Sequence, residues 1–171
     1  MSRLESERLT PKRDWCDVGE IISTAVQRVE PCQDSHPIRI EVAADVPLIQ
    51  VDFVLIEQAL VNLLDNACTY TPPDTPIKIQ ARVQAHALHL EIADHGAGIP
   101  TALLERIFDK FYRVPGSATG GTGLGLSISR GLIEAHGGTL EAAHHPEGGT
   151  VFTICLPLNG TPPPVQESTH A

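Results

Sequence analysis

Aromatic residues make up only 4% of the sequence, with a single tryptophan, so the interior of any fold must be filled by Ala, Val, Ile and Leu. The 42% hydrophobic content is enough for that. The sequence also lacks a CxxC pair: Cys16, Cys32, Cys68 and Cys155 lie far apart, which argues for free thiols in a reducing compartment over a disulfide framework or a zinc site. No apolar run reaches the length of a membrane span, and the opening SRLESERLTPKRDW is too polar for a signal peptide. A soluble, cytoplasmic chain is expected. Basic residues are scarce as well. A net charge of -9 excludes a broad nucleic-acid or anionic-membrane surface, so any phosphate site has to be local.

The 171 residues give room for one ordinary domain, and no internal repeat divides them. Residues 1–14 carry few apolar side chains, which fits a segment that packs against something else. From Val18 to Val29 apolar residues recur at helical spacing, with Asp17 as N-cap and Pro31 as stop. IRIEVAADV alternates as a strand, VPLIQV is a short extended piece, and Asp52 caps a long helix that ends at Pro72-Pro73. IKIQARVQ and HALHLEIAD form two strands joined through Gln84-Ala85-His86. Residues 101–113 read as a short helix, and LGLSISRGLIEAHGG as another stopped by Gly137-Gly138. TLEAAHH and TVFTICLPL are closing strands around Pro146-Glu147-Gly148-Gly149, before a proline-rich tail. Helices and strands arrive in groups rather than strict alternation. That order favours an α+β fold, a two-layer α/β sandwich with a mixed, mostly antiparallel sheet and helices on one face.

What the sequence has in abundance is glycine before its last helix, in TGGTGLGLSISRG. A helix N-terminus exposes unpaired N–H groups and about half a positive charge, and glycines let backbone approach an anion without Cβ clashes. TGGTGLGL is therefore a candidate phosphate cradle. It is not a Walker A loop, since no lysine follows the glycines, nor a dinucleotide-binding turn, since it does not follow the first strand of a βαβ unit. Taken alone, such a turn is more often only a loop. Two further motifs accompany it. DHGAGIP lies at a strand end, where Asp94 can accept a hydrogen bond from an exocyclic amine while the glycines admit a flat base. NLLDNA puts Asn62 and Asn66 at i and i+4 on one helix face, where amide oxygens can help hold hydrated Mg²⁺ beside phosphates.

These motifs, in this order, resemble the ATP-binding catalytic domain of bacterial sensor histidine kinases, of the Bergerat-type fold shared with gyrase, Hsp90 and MutL. NLLDNACTY is similar to the N box, DHGAGIP to the G1 box, IFDKFYR to the F box and GTGLGL to the G2 box, over roughly residues 15–158. IFDKFYR, GLIEAHGGT and HPEGGTVFTICLP are most similar to the Kdp-type, potassium-responsive branch. The resemblance implies a site of ATP and Mg²⁺. Asp94 would pair with the adenine amine, supported by Thr150 through water. Asn66 would coordinate Mg²⁺ with Asn62 alongside, and Tyr70, Gly96, Gly98 and Ile99 would shape the nucleotide pocket. Phe108, Phe111 and Tyr112 would anchor a lid from which Lys110 and Arg113 reach the phosphates. Gly121, Thr122, Gly123, Leu124, Gly125 and Leu126 would complete the lid and present N–H groups to the triphosphate.

It also implies domain limits: 1–14 as the exit of an upstream helical hairpin or linker, 15–158 as the catalytic domain and 159–171 as a flexible tail. The family's phosphoacceptor sits in that hairpin, and none of His36, His86, His89, His144, His145 or His170 matches its motif. The expected chain is a monomeric fragment of a kinase anchored in the inner membrane. Its partners would be the parent's dimerisation and histidine-phosphotransfer domain and, through the parent, a response regulator, with no nucleic acid and no membrane contact of its own. Thr69 departs from the pattern, standing where the family commonly has Lys or Arg against phosphate. Losing one charge-assisted contact costs about 1.5–3 kcal/mol, roughly ten- to hundredfold in affinity. Three activities compete: phosphotransfer to a histidine, ATP hydrolysis as in the gyrase relatives, and nucleotide binding with little turnover. Asn62 favours the first over the second, because an amide cannot act as general base on water.

Overall fold

Alternating apolar residues set the sheet. Ile77, Ile79 and Ala81, then Leu88, Leu90 and Ile92, then Phe152, Ile154 and Leu156 are all buried, and their intervening neighbours are not. The structure is a computed structural model and describes residues 10–29, 34–112, 125–158 and 160. Strands β4 (Ile77–Gln84), β5 (Ala87–Ala93), β6 (Thr139–His144) and β7 (Thr150–Pro157) join β2 (Ile38–Val42) in a five-stranded sheet of order β2-β4-β5-β7-β6. Only β2 runs parallel to its neighbour, β4; the other pairs are antiparallel. A small second sheet pairs β1 (Asp14–Cys16) with β3 (Ile49–Val51).

Among the described residues, three helices of ten residues or more pack on the buried face. In α1 (Val18–Arg28), Asp17 accepts the Glu20 N–H at 3.2 Å, and in α2 (Phe53–Tyr70), Asp52 accepts the Leu55 N–H at 3.3 Å, so both expected N-caps form. α2 is the central helix: Ile56, Leu60, Leu63 and Leu64 are 0% exposed, each contributing about 1.5–3 kcal/mol of transfer free energy. α3 (Gly125–Glu134) ends where Gly138 N–H reaches the Ile133 carbonyl and Gly137 N–H the Glu134 carbonyl, a Schellman closure with Gly137 at φ +77°. The sheet's other face is half-exposed and carries the Arg82–Glu91 pair at 2.7 Å. This is the expected α+β two-layer sandwich.

The hairpin expected through Gln84-Ala85-His86 forms between β4 and β5, with Ala85 and His86 at φ +52° and +57°, a tight turn of the primed kind made without glycine. Two local expectations need correction. Residues 101–112 do not form an α-helix: Thr101–Leu103 and Arg106–Phe108 are separate 3₁₀ turns. Cysteine spacing gave free thiols, yet Cys68 is disulfide-bonded, with its partner outside the described residues; Cys16 and Cys155 are free. Sequence separation reports nothing about which thiols the fold brings together.

Candidate functional site

The end of β5 fixes the first site residue. Because Ala93 pairs with Val151, the next residue, Asp94, falls opposite Thr150 and donates its N–H to the Thr150 carbonyl at 3.0 Å. The Asp94 side chain is 6% exposed, and its Oδ1 accepts the N–H groups of Gly96 and Thr150, both at 3.0 Å. A buried carboxylate needs such donors. Oδ2 makes no hydrogen bond among the described residues and remains as an acceptor. Thr150, at 4% exposure, supports Asp94 directly through its backbone N–H.

Glycines make this approach feasible. A Cβ on Gly149, at φ +104°, would collide with the Asp94 carbonyl oxygen and lie 2.9 Å from Oδ1. A Cβ on Gly96 would lie 2.8 Å from Thr71 Cγ2 and 3.1 Å from the Tyr70 carbonyl, so the turn after Asp94 presses on the end of α2. That end is held in turn: Thr71 Oγ1 donates to the Ala67 carbonyl at 2.6 Å and meets His36 Nε2 at 2.9 Å. His36 and Thr71 are buried, which also removes His36 from any role as an accessible phosphoacceptor. Gly98, at φ +80°, and half-buried Ile99 continue the turn.

On α2 the two amides differ. Asn62 is engaged, its Oδ1 accepting Gln58 Nε2 at 2.9 Å and its Nδ2 donating to the Gly125 carbonyl at 3.4 Å. Asn66, half-buried, makes no hydrogen bond among the described residues and is available to a ligand. Asn62 therefore ties α2 to the start of α3, and Ser129 Oγ adds a bond to the Ala59 carbonyl at 3.1 Å. Tyr70 is 37% exposed at the helix end. Thr69 is exposed, with Oγ1 bonded to the Asp65 carbonyl at 2.8 Å.

At the end of the second 3₁₀ turn, Phe108 is buried edge-on to Phe152, with ring centroids 6.3 Å apart and the Arg130 guanidinium 4.1 Å over its ring. Half-buried Tyr112 lies under Arg106 at 4.7 Å. Phe111 is 67% exposed at φ +65° among the described residues. Lys110 is exposed, and Gly125 and Leu126 open α3, Leu126 packing partly against the core. Arg113, Gly121, Thr122, Gly123 and Leu124 lie outside the described residues.

Sequence reasoning missed His36, Thr71 and Ser129, and gave His136 only half its role. As expected, His136 bonds a carbonyl at the end of α3, that of Leu132 at 2.8 Å; it also accepts the Asp52 N–H at 3.0 Å, 84 residues away. The available signal was weak: polar residues inside otherwise apolar helical stripes. A shallow cleft lined by Trp15, Leu48, Gln50, His86 and Leu158 lies at the opposite end of β5 from Asp94 and offers little chemistry.

Residues 51–160 match the family model described as histidine kinase-, DNA gyrase B-, and HSP90-like ATPase. The sequence is 39% identical over 163 residues to the sensor protein KdpD of Escherichia coli, covering 95% of this chain and 18% of that protein's length. The KdpD of Clostridium acetobutylicum is 36% identical over 161 residues, with the same 18% spanned. In structure, the chain is similar to the mycobacterial sensor histidine kinase MprB, with TM-score 0.78, 26% identity and coverage of 86% of this chain and 100% of that one. The fold is also that of ShkA, solved full-length in complex with AMPPNP, with TM-score 0.81, 22% identity and coverage of 96% and 36%. Among the described residues no helix is long and apolar enough to cross a membrane.

Proposed function

The chain belongs to the histidine kinase-, DNA gyrase B- and HSP90-like ATPase family, and on that premise we propose that it is the ATP-binding catalytic domain of a sensor histidine kinase, delivering the γ-phosphoryl of Mg-ATP to a histidine on a separate dimerisation domain. The observation that carries this reading is Asp94: a buried carboxylate whose Oδ1 is occupied by two backbone N–H groups while Oδ2 is left to accept the adenine amine. The close approach at Gly96 and Gly149 keeps that wall flat enough for a base. ShkA, alike in fold, is seen with AMPPNP, which makes an adenine nucleotide the ligand to try first.

Asn66, with an uncommitted amide, fits a role as Mg²⁺ ligand. When bound, the ion would neutralise phosphate charge. The protein's own residues bind and orient: Asp94 selects adenine, Asn62 holds the start of α3 at α2, and Lys110 supplies positive charge near the phosphates. Catalysis of this kind rests on positioning and electrostatics. Hydrolysis is the weaker reading because, among the described residues, the neighbourhood of Asn62 offers no suitable base. Glu57 is buried and paired with Arg28 at 3.1 Å, and Asp65 projects to solvent. A nucleotide-binding module with little turnover is favoured only by Thr69, whose hydroxyl is spent on its own helix.

By the same reading, the parent is a membrane-anchored kinase of the Kdp type that acts with a response regulator. The test is label transfer: incubated with γ-labelled ATP and Mg²⁺, the chain should phosphorylate an added histidine-bearing dimerisation hairpin of a Kdp-type kinase. Transfer to the hairpin supports the proposal. Release of inorganic phosphate without transfer would favour hydrolysis, and neither would favour the regulatory module.

A further inference from the structure

Among the described residues, one cluster outside the nucleotide site combines metal-binding side chains from separate segments. His95 follows Asp94 at the end of β5, while His145 and Glu147 lie in the turn between β6 and β7. One ligand atom from each of the three falls within 4.8 Å of the others. The two imidazole rings stand edge to face, with centroids 5.0 Å apart and planes at 66°. His144, next in line, is already committed through Nε2 to Thr101 Oγ1 at 2.9 Å.

We propose that His95, His145 and Glu147 form a binding site for one borderline divalent transition-metal ion, of the Zn²⁺, Ni²⁺ and Cu²⁺ class, which staples the turn after Asp94 to the β6–β7 turn. Two imidazoles with one carboxylate suit these ions rather than Mg²⁺ or Ca²⁺, which prefer all-oxygen shells. Three protein ligands leave a fourth tetrahedral position to water. Zn–N bonds of about 2.0–2.1 Å imply ligand atoms roughly 3.4 Å apart, so atoms that lie within 4.8 Å of one another have to close by at most about 1.4 Å. His95 and His145 are half-buried and Glu147 is exposed, so rotamer changes suffice without disturbing the core.

Closure also breaks a bond. His145 Nδ1 accepts the Glu147 N–H at 3.0 Å. An ion taken by Nδ1 replaces that bond, and one taken by Nε2 moves the ring proton to Nδ1, where it would face the same N–H. Either route gives up one exposed neutral hydrogen bond, a small loss beside two metal–imidazole bonds. Because both imidazoles must be unprotonated, binding weakens in acid. Where the adenine site is as proposed above, the ion ties His95, next to Asp94, to the turn that leads into Thr150, and ion and nucleotide affinities are reciprocally linked.

Calorimetric titration of the tag-free, nucleotide-free chain with Zn²⁺ tests the site independently of any ATP chemistry. One saturable ion per chain is expected, weakened at least tenfold by His95→Ala and by His145→Ala. His86→Ala, at the far end of β5, should bind as the wild type does. In amide NMR spectra, Zn²⁺ should shift Gly96 and Gly148 and leave the β4–β5 turn unmoved. Binding that survives both cluster substitutions, or no saturable binding below millimolar Zn²⁺, overturns the proposal.

Discussion

Gly148 and Gly149 adjoin in one turn and both hold positive φ, +96° and +104°. A Cβ on Gly148 would meet nothing within 4 Å, whereas one on Gly149 would collide with the Asp94 carbonyl oxygen and lie 2.8 Å from its carbon. Alanine at either position bears the backbone strain, of order 1–3 kcal/mol. Alanine at 149 adds an overpacking cost of about 1–3 kcal/mol, because the obstacle is backbone and cannot rotate away. Gly149→Ala should therefore melt below Gly148→Ala by roughly 2–12 °C in scanning calorimetry, at about 2–4 °C per kcal/mol for a chain of this size. Moving Asp94 should also weaken ATP binding at least tenfold in Gly149→Ala and hardly at all in Gly148→Ala. Equal melting points and equal affinities would refute the inference that Gly149 is required by its approach to Asp94.

Other expectations follow from single contacts. His136 is 2% exposed and neutral, with Nε2 accepting the Asp52 N–H and Nδ1–H donating to the Leu132 carbonyl. Burial pushes its pKa down; the Leu132 carbonyl opposes this, Arg13 adds to it and Asp52 opposes it. The unfolded chain, with a pKa near 6.5, takes up the proton first, so this contribution is full above about pH 6.5 and is lost as pH falls towards the lower folded value. Urea unfolding at several pH values should show a steeper acid loss for the wild type than for His136→Gln; parallel profiles would contradict it. Asn66→Ala should leave the melting temperature nearly unchanged and remove the Mg²⁺-dependent gain in ATP affinity. Asn62→Ala should cost about 1 kcal/mol of stability by releasing Gly125. Identical thermal behaviour of the two would remove the distinction drawn between them.

Local signals carried much of the fold. Asp17 and Asp52 cap helices because a short carboxylate before an apolar stripe can reach the first N–H groups, and Gly137 ends α3 because it takes positive φ cheaply. Alternation in β4, β5 and β7 gave the buried face. What could not be read locally is what depends on distant partners. The β1–β3 pairing involves three-residue strands, too short for a periodicity. The Ala85-His86 turn lacks the glycine that usually marks one. In the site, Asp94 and the glycines were legible through their order with the other motifs. The long-range bonds, from Thr71 to His36 behind the site and from His136 to Asp52 at the other end of α2, span 35 and 84 residues and leave no periodic trace.

The central claim is that Asp94 reads adenine with the oxygen left over from its backbone bonds. Asp94→Asn retains an oxygen for the Gly96 and Thr150 N–H groups and turns a donor towards the nucleotide. The fold should survive, while binding loses a charge-assisted hydrogen bond and leaves an amine unpaired, about 2.5–6 kcal/mol or at least fiftyfold. The measurement is calorimetric titration of both proteins with ATP, with and without Mg²⁺. Saturable binding by the wild type, lost in a folded Asp94→Asn, is the predicted result. Equal affinity in the two proteins, or no binding by the wild type at millimolar ATP, would contradict the account.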